Sequence, residues 1–222
     1  MKKEKLIIWD FDGVIADTEP FWVRNWQRVL NKHFNLGLTY EETAKWNYGA
    51  SLKIKEMYVK EHFGLDMTDE VWADIYRGID EVFEKGFELV EGVEEVIALD
   101  RFDRCLASNG GIRESIQKME TTKLWKYFPR EHLFSHEFVP RGKPAPDLFL
   151  YAAEKMGYLP TEAIVIEDSL PGLRAGLSAG MKTVAFVGCA THYGADYVEK
   201  IRALGVTEIF DTMAALKNYL DV

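Results

Sequence analysis

Two aspartates set two residues apart, in Trp9-Asp10-Phe11-Asp12-Gly13-Val14, follow directly on the apolar run Leu6-Ile7-Ile8-Trp9. Such a run reads as a strand buried on both faces, and alternate residues at its end project toward the same side. Two unpaired carboxylates held together repel each other. A bound cation, or a task that keeps one of them protonated, removes the conflict. Gly13 allows a sharp turn beside a ligand. Taken alone, Asp-x-Asp equally describes an acidic loop with a helix cap.

Three further segments have the same form, an apolar run that ends in polar residues. Cys105-Leu106-Ala107 leads into Ser108-Asn109-Gly110-Gly111 ahead of a helical pattern starting at Ile112. Backbone amides at a helix start, with small polar side chains beside them, suit an anion; a plain turn and cap is the alternative. Arg141-Gly142-Lys143-Pro144-Ala145-Pro146-Asp147 sets a lysine between glycine and proline, which limits the freedom of the chain around it. A cation so placed suits a phosphate oxygen, and the alternative is a surface lysine in a proline loop. Ile164-Val165-Ile166 ends in Glu167-Asp168-Ser169, with Pro171-Gly172 opening a helix. These carboxylates suit Mg²⁺, a hard ion that prefers oxygen donors; the alternative is a helix N-cap at Asp168 or Ser169.

The elements that must carry these residues alternate. Apolar runs at Leu6–Trp9, Cys105–Ala107, Ile164–Ile166 and Thr183–Val187 are separated by helical patterns, with Ile112, Ile116 and Met119 on one face and Tyr197, Ile201 and Leu204 on another. This alternation predicts an α/β fold with a parallel sheet. From about residue 17 to about 90 the buried-strand runs stop. There Thr39-Tyr40-Glu41-Glu42 has the form of a capping box. Val71, Trp72, Ile75, Ile79, Val82 and Phe83 make a helical stripe, and Trp22, Trp26 and Val29 another, so a helical insertion with its own small core is predicted.

The composition bounds the function. With 222 residues, 47% hydrophobic and 28% charged, the chain fits one core domain plus an insertion. A net charge of −9, spread without acidic or basic blocks, argues against nucleic acid or an anionic membrane as partner. Cys105 and Cys189, far apart and flanked by apolar residues, read as buried free thiols. The apolar run after the charged N-terminus stops at Asp10, too short for a signal peptide or a membrane span. A cytoplasmic protein is expected.

In this order, Asp10-x-Asp12-Gly13-Val14, a helical insertion, Ser108-Asn109, Gly142-Lys143-Pro144-x-Pro146-Asp147 and Glu167-Asp168-Ser169 with Gly172 and Ala175-Gly176 resemble the haloacid dehalogenase-like hydrolase superfamily. An insertion placed after the first motif resembles the branch with small helical caps. That branch holds phosphoglycolate phosphatase, beta-phosphoglucomutase and sugar-phosphate phosphatases of the 6-phosphogluconate type. The last are most similar, through Phe87-Glu88-Leu89-Val90-Glu91-Gly92, Ser108-Asn109-Gly110 and Tyr127-Phe128-Pro129. The resemblance implies a Rossmann-like three-layer core of about residues 1–16 and 91–222 with a helical cap of about 17–90.

It also implies roles. Asp10 would attack phosphorus and become an aspartyl-phosphate, with Asp12 as general acid and base. Mg²⁺ would be held by Asp10, the Asp12 main-chain carbonyl, Asp168 and, directly or through water, Glu167. Ser108, Asn109 and Lys143 would hold the phosphoryl oxygens, and the Lys143-Pro144 peptide is often cis in such proteins. Asp12 favours phosphoryl transfer over dehalogenation, because the dehalogenases lack it. A mutase of this branch commonly has a histidine four residues before a tryptophan; here Trp22 precedes Trp26, which favours a phosphatase, although Val14 is shared with the mutases. A non-catalytic binding protein would be expected to have lost a motif residue, and none is missing. Gly49-Ala50-Ser51-Leu52-Lys53 in the cap offers Ser51 and Lys53 as substrate contacts, and Arg77 is a further candidate; ordinary solvated charge is the alternative. The expected partner is a small phosphorylated metabolite bound by a monomer or homodimer.

Overall fold

The computed structural model describes residues 4–48, 50, 52–189 and 194–221. Two compact units share the chain: the residues up to Asp17 together with Glu88 onward, and Thr18–Phe87. In chain order β1 (Leu6–Trp9) opens the first unit. The second holds α1 (Glu19–Phe34), α2 (Tyr40–Asn47), α3 (Leu52–Phe63) and α4 (Asp69–Lys85). The first then resumes with α5 (Val93–Ile97), β2 (Asp103–Ser108), α6 (Ile112–Thr122), β3 (Leu133–Ser135), α7 (Asp147–Met156), β4 (Ala163–Glu167), α8 (Leu170–Ser178), β5 (Lys182–Phe186), α9 (Tyr197–Ala203), β6 (Glu208–Phe210) and α10 (Met213–Asp221).

Among the described residues six strands, all parallel, run in the order β3-β2-β1-β4-β5-β6 and make the Rossmann-like α/β core. Central β1 is apolar at every position because both of its faces are covered. Leu6 and Ile8 pack with Leu148 and Phe149 of α7 and with Ala175 of α8. Each of the fully buried leucine, isoleucine and phenylalanine side chains contributes about 1.5–3 kcal/mol. From β1 the sheet grows outward through β2 and β3, then returns to β1's other side with β4. The carboxyl ends of β1 and β4 therefore flank a topological switch point, where open α/β sheets bind ligands.

Three local expectations change. The short strand β6 carries no strong apolar signal, because all three of its residues are only half-buried. On α6 the buried face is Ser115, Lys118 and Met119, with Ile112 and Ile116 half-buried, so a lysine faces inward. Cys105 is buried, as expected, and burial pushes its thiol well above the usual range. Cys189 is half-buried, and there burial raises the thiol to about 12.

The helical unit has its own core. Thr39 accepts from the Glu42 N–H at 3.2 Å while the Glu42 carboxylate accepts from the Thr39 N–H at 2.8 Å, the reciprocal cap of α2. Trp26 meets Trp46 and Trp72 edge-on at 6.0 and 5.9 Å between ring centroids, above Val29, Leu30, Val71 and Ile75. No helix among the described residues is long and apolar enough to cross a membrane.

Candidate active site

The register of the sheet brings the acids together. Trp9 lies opposite Ile166, and the Asp10 N–H donates to the Ile166 carbonyl at 3.0 Å, so Asp10 stands level with Glu167 at the ends of adjacent strands. Asp10, Glu167 and Asp168 are all buried, and each offers a carboxylate oxygen within 4.8 Å of the others. Gly13, at φ +76°, turns the chain directly against Asp168, where an added Cβ would collide with the carboxylate. Gly172, at the start of α8, leaves similar room for Glu167.

Lys143 is buried among these acids. Its Nζ lies 2.5 Å from Asp10 Oδ1 and 2.7 Å from Glu167 Oε1, with the Phe149 ring 4.9 Å away. Burial opposes the ammonium charge, but the two carboxylates outweigh it and hold the lysine above its usual range. For Asp10 the order is reversed. Burial raises the carboxyl well above the ordinary aspartate range, Lys143 pulls it back, and Glu167 and Asp12 push it up further. Glu167 Oε2 accepts from the Ser169 N–H at 2.7 Å and hydroxyl at 2.9 Å. Ser169, rather than Asp168, caps α8 by accepting from the Gly172 N–H at 3.2 Å. The Asp168 carbonyl accepts from the Tyr197 hydroxyl at 2.6 Å.

The Lys143–Pro144 peptide is cis. Asn109 holds the main chain there: its Nδ2 donates to the Lys143 carbonyl at 3.0 Å and its Oδ1 accepts from the Lys143 N–H at 2.9 Å. One N–H of that amide is thus engaged, and its second N–H and the Asn109 main-chain N–H are donors suited to an anion. Ser108, buried at the end of β2, accepts from the Gly110 N–H at 3.0 Å through a hydroxyl that can also donate. Asp12 points its Oδ2 at Lys118 Nζ, 2.5 Å away. Sequence reasoning missed Lys118, whose spacing from Glu114 reads as an ordinary i,i+4 surface pair.

A profile of the haloacid dehalogenase-like hydrolases matches residues 7–186, from β1 to the end of β5. The chain belongs to the haloacid dehalogenase-like hydrolase family. The hydrolase is 28% identical to 6-phosphogluconate phosphatase of Escherichia coli strain K12 over 188 residues, covering 84% of each chain. It is 27% identical to a phosphorylated carbohydrates phosphatase of Thermotoga maritima, covering 80% of this chain and 82% of that one. A solved haloacid dehalogenase-like protein from Agrobacterium tumefaciens superposes with a TM-score of 0.83 at 24% identity, covering 98% of both chains. The hydrolase is a phosphatase, and a mutase reaction is not favoured.

The other residues picked out from the sequence lie in the helical unit. Ser51 falls outside the described residues. Lys53 is exposed on α3. Arg77, exposed on α4, bonds Asp74 at 3.1 Å as one of four basic side chains on that buried carboxylate, with Arg28 at 3.2, Lys32 at 2.7 and His33 at 3.0 Å.

Proposed function

We propose that the enzyme hydrolyses a small phosphorylated metabolite, a sugar phosphate or sugar-acid phosphate, through an aspartyl-phosphate on Asp10, with Mg²⁺ as cofactor. The observation that carries this reading is the buried cluster of Asp10, Glu167 and Asp168 with Lys143 at the switch point of the sheet. Oxygen donors of this kind fit Mg²⁺, which binds through one or two carboxylates, water and substrate phosphate. Asp10, Asp168 and the Asp12 main-chain carbonyl would hold the ion. Glu167, already engaged by Lys143 and Ser169, would contribute through water. The ion would neutralise charge on the phosphoryl group and on the carboxylates.

The protein's own residues would do the rest. Asp10 attacks phosphorus, splitting the displacement into two steps. Asp12 gives a proton to the leaving oxygen, then takes one from the attacking water. Lys143 has three N–H donors, two of them directed at carboxylates, and the third can reach a phosphoryl oxygen. The Ser108 hydroxyl and the Asn109 main-chain N–H supply further donors. Fixed donors of this kind stabilise the charge spread over the equatorial oxygens in the transition state.

The names of the two phosphatase relatives support a sugar-phosphate or sugar-acid phosphate substrate, and a cytoplasmic location accords with such a metabolite. The test is phosphate release across a panel of phosphorylated metabolites with Mg²⁺, with EDTA, and with the Asp10→Asn variant. Turnover of a sugar phosphate in the first condition and loss in the other two is expected. Undiminished turnover in EDTA would remove the metal from the mechanism. Turnover by the variant would remove Asp10 as nucleophile. An isomerised sugar phosphate in place of released phosphate would restore the mutase reading.

A further inference from the structure

Lys118 is fully buried, although a lysine on an ordinary helix face keeps its ammonium in water. Desolvating an ammonium is costly unless it is well paired. Its Nζ lies 2.5 Å from Asp12 Oδ2 and 2.6 Å from Glu114 Oε1, and 5.1 Å from the centre of the Phe11 ring. Glu114 alone could pair with Lys118 on the helix surface. The inward turn of α6, on the face with Ser115 and Met119, instead brings the lysine to the loop that follows β1. Burial opposes the charge, but Asp12 and Glu114 outweigh it and hold Lys118 above its ordinary range. Asp12 itself is partly exposed, with its side chain 22% accessible, and its backbone forms an isolated bridge with Ala16. A buried cation on one of its oxygens constrains where that carboxylate points.

We infer that Lys118 is a positioning residue, which holds the Asp12 carboxylate where it can serve the leaving oxygen. The inference rests on the reading of Asp12 as proton donor given above. Misplacing a proton donor by about an ångström costs up to about a hundredfold in rate. A purely structural staple between α6 and the β1 loop would affect all substrates alike. A positioning residue for a proton donor matters only where the leaving group needs the proton.

The experiment compares kcat/KM, which reports the steps through the first phosphoryl transfer, for an alkyl phosphate and for 2,4-dinitrophenyl phosphate, whose leaving group departs unprotonated. The full-length Lys118→Met variant is expected to lose about 10- to 100-fold on the alkyl ester and under about threefold on the aryl ester. In an Asp12→Asn background it is expected to add no further loss. Equal losses on both esters, or full additivity with Asp12→Asn, would overturn the inference. If Lys118→Met does not fold, Lys118→Gln carries the same comparison. A wild-type enzyme that releases phosphate from neither ester and from no phosphorylated metabolite of the panel would overturn the functional reading, and this inference with it. A wild type active on both, with uniform loss in the variant, overturns the role of Lys118 alone.

Discussion

Asn109 grips the main chain of Lys143 from both sides, with its Nδ2 on the Lys143 carbonyl at 3.0 Å and its Oδ1 on the Lys143 N–H at 2.9 Å. The residue after β2 thereby fixes the lysine that pairs with the acid after β1.

Replacing Asn109 by Ala removes both bonds and leaves two main-chain groups of Lys143 to find other partners. A stability loss of about 1–3 kcal/mol is expected. Because the Lys143 ammonium is then less firmly held, kcat/KM is expected to fall about tenfold or more. Chemical denaturation and steady-state kinetics check the two effects. Unchanged kinetics in a destabilised variant would confine Asn109 to a structural role.

Lys143→Met removes the cation that lies between Asp10 and Glu167. Losing one preorganised donor to a phosphoryl group costs about 10²–10³ in kcat. The variant also leaves two buried carboxylates without their ammonium, so the Asp10 carboxyl, already raised by burial, is expected to rise further. Phosphate-release assays with the variant check the first effect, and an activity within about threefold of wild type would contradict the proposed role.

Asp74 gives a pH-dependent prediction within the helical unit. Its hydrogen bond from Lys32, together with those from His33 and Arg28, holds the carboxyl well below the usual range against the opposing effect of burial. A group depressed in the folded state contributes its full stability above its unfolded pKa, and loses it as pH falls toward the folded value. Asp74→Asn is therefore expected to cost about 1–3 kcal/mol at neutral pH. The gap between wild type and variant should stay constant down to about pH 4 and close below it. Urea denaturation at pH 7, 5 and 3 measures this, and a gap that widens toward acid would contradict it.

The fold and the candidate site differ in how much the sequence discloses. Asp10, Ser108, Glu167 and Asp168 stand out because each ends a run whose apolar character comes from burial on both faces. Lys143 stands out because glycine and proline bracket it. Lys118 does not, because an inward lysine and a surface lysine share the same spacing from Glu114, and only the tertiary packing of α6 distinguishes them. The task of Asn109 is hidden for a similar reason: an amide beside a serine reads as a turn, and its partner is remote in sequence. Arg77 shows the converse. As an arginine on a polar helix face it suits a phosphate, but Asp74, on the same helix, provides a nearer anion, and the meeting of α1 and α4 adds three more bases to that acid. Periodicity predicts which faces meet, not which charges meet across them. The half-buried strand β6 lacks the apolar run that marks the other strands.

The central claim is a covalent phosphoryl group on Asp10. Acid quenching during turnover of a reactive phosphomonoester, followed by borohydride reduction, converts an acyl phosphate to homoserine, which peptide mass spectrometry locates. The account predicts homoserine at position 10, dependent on substrate and absent from Asp10→Asn. Phosphate release from the active enzyme with Asp10 unmodified, or with the label on another residue, would contradict it.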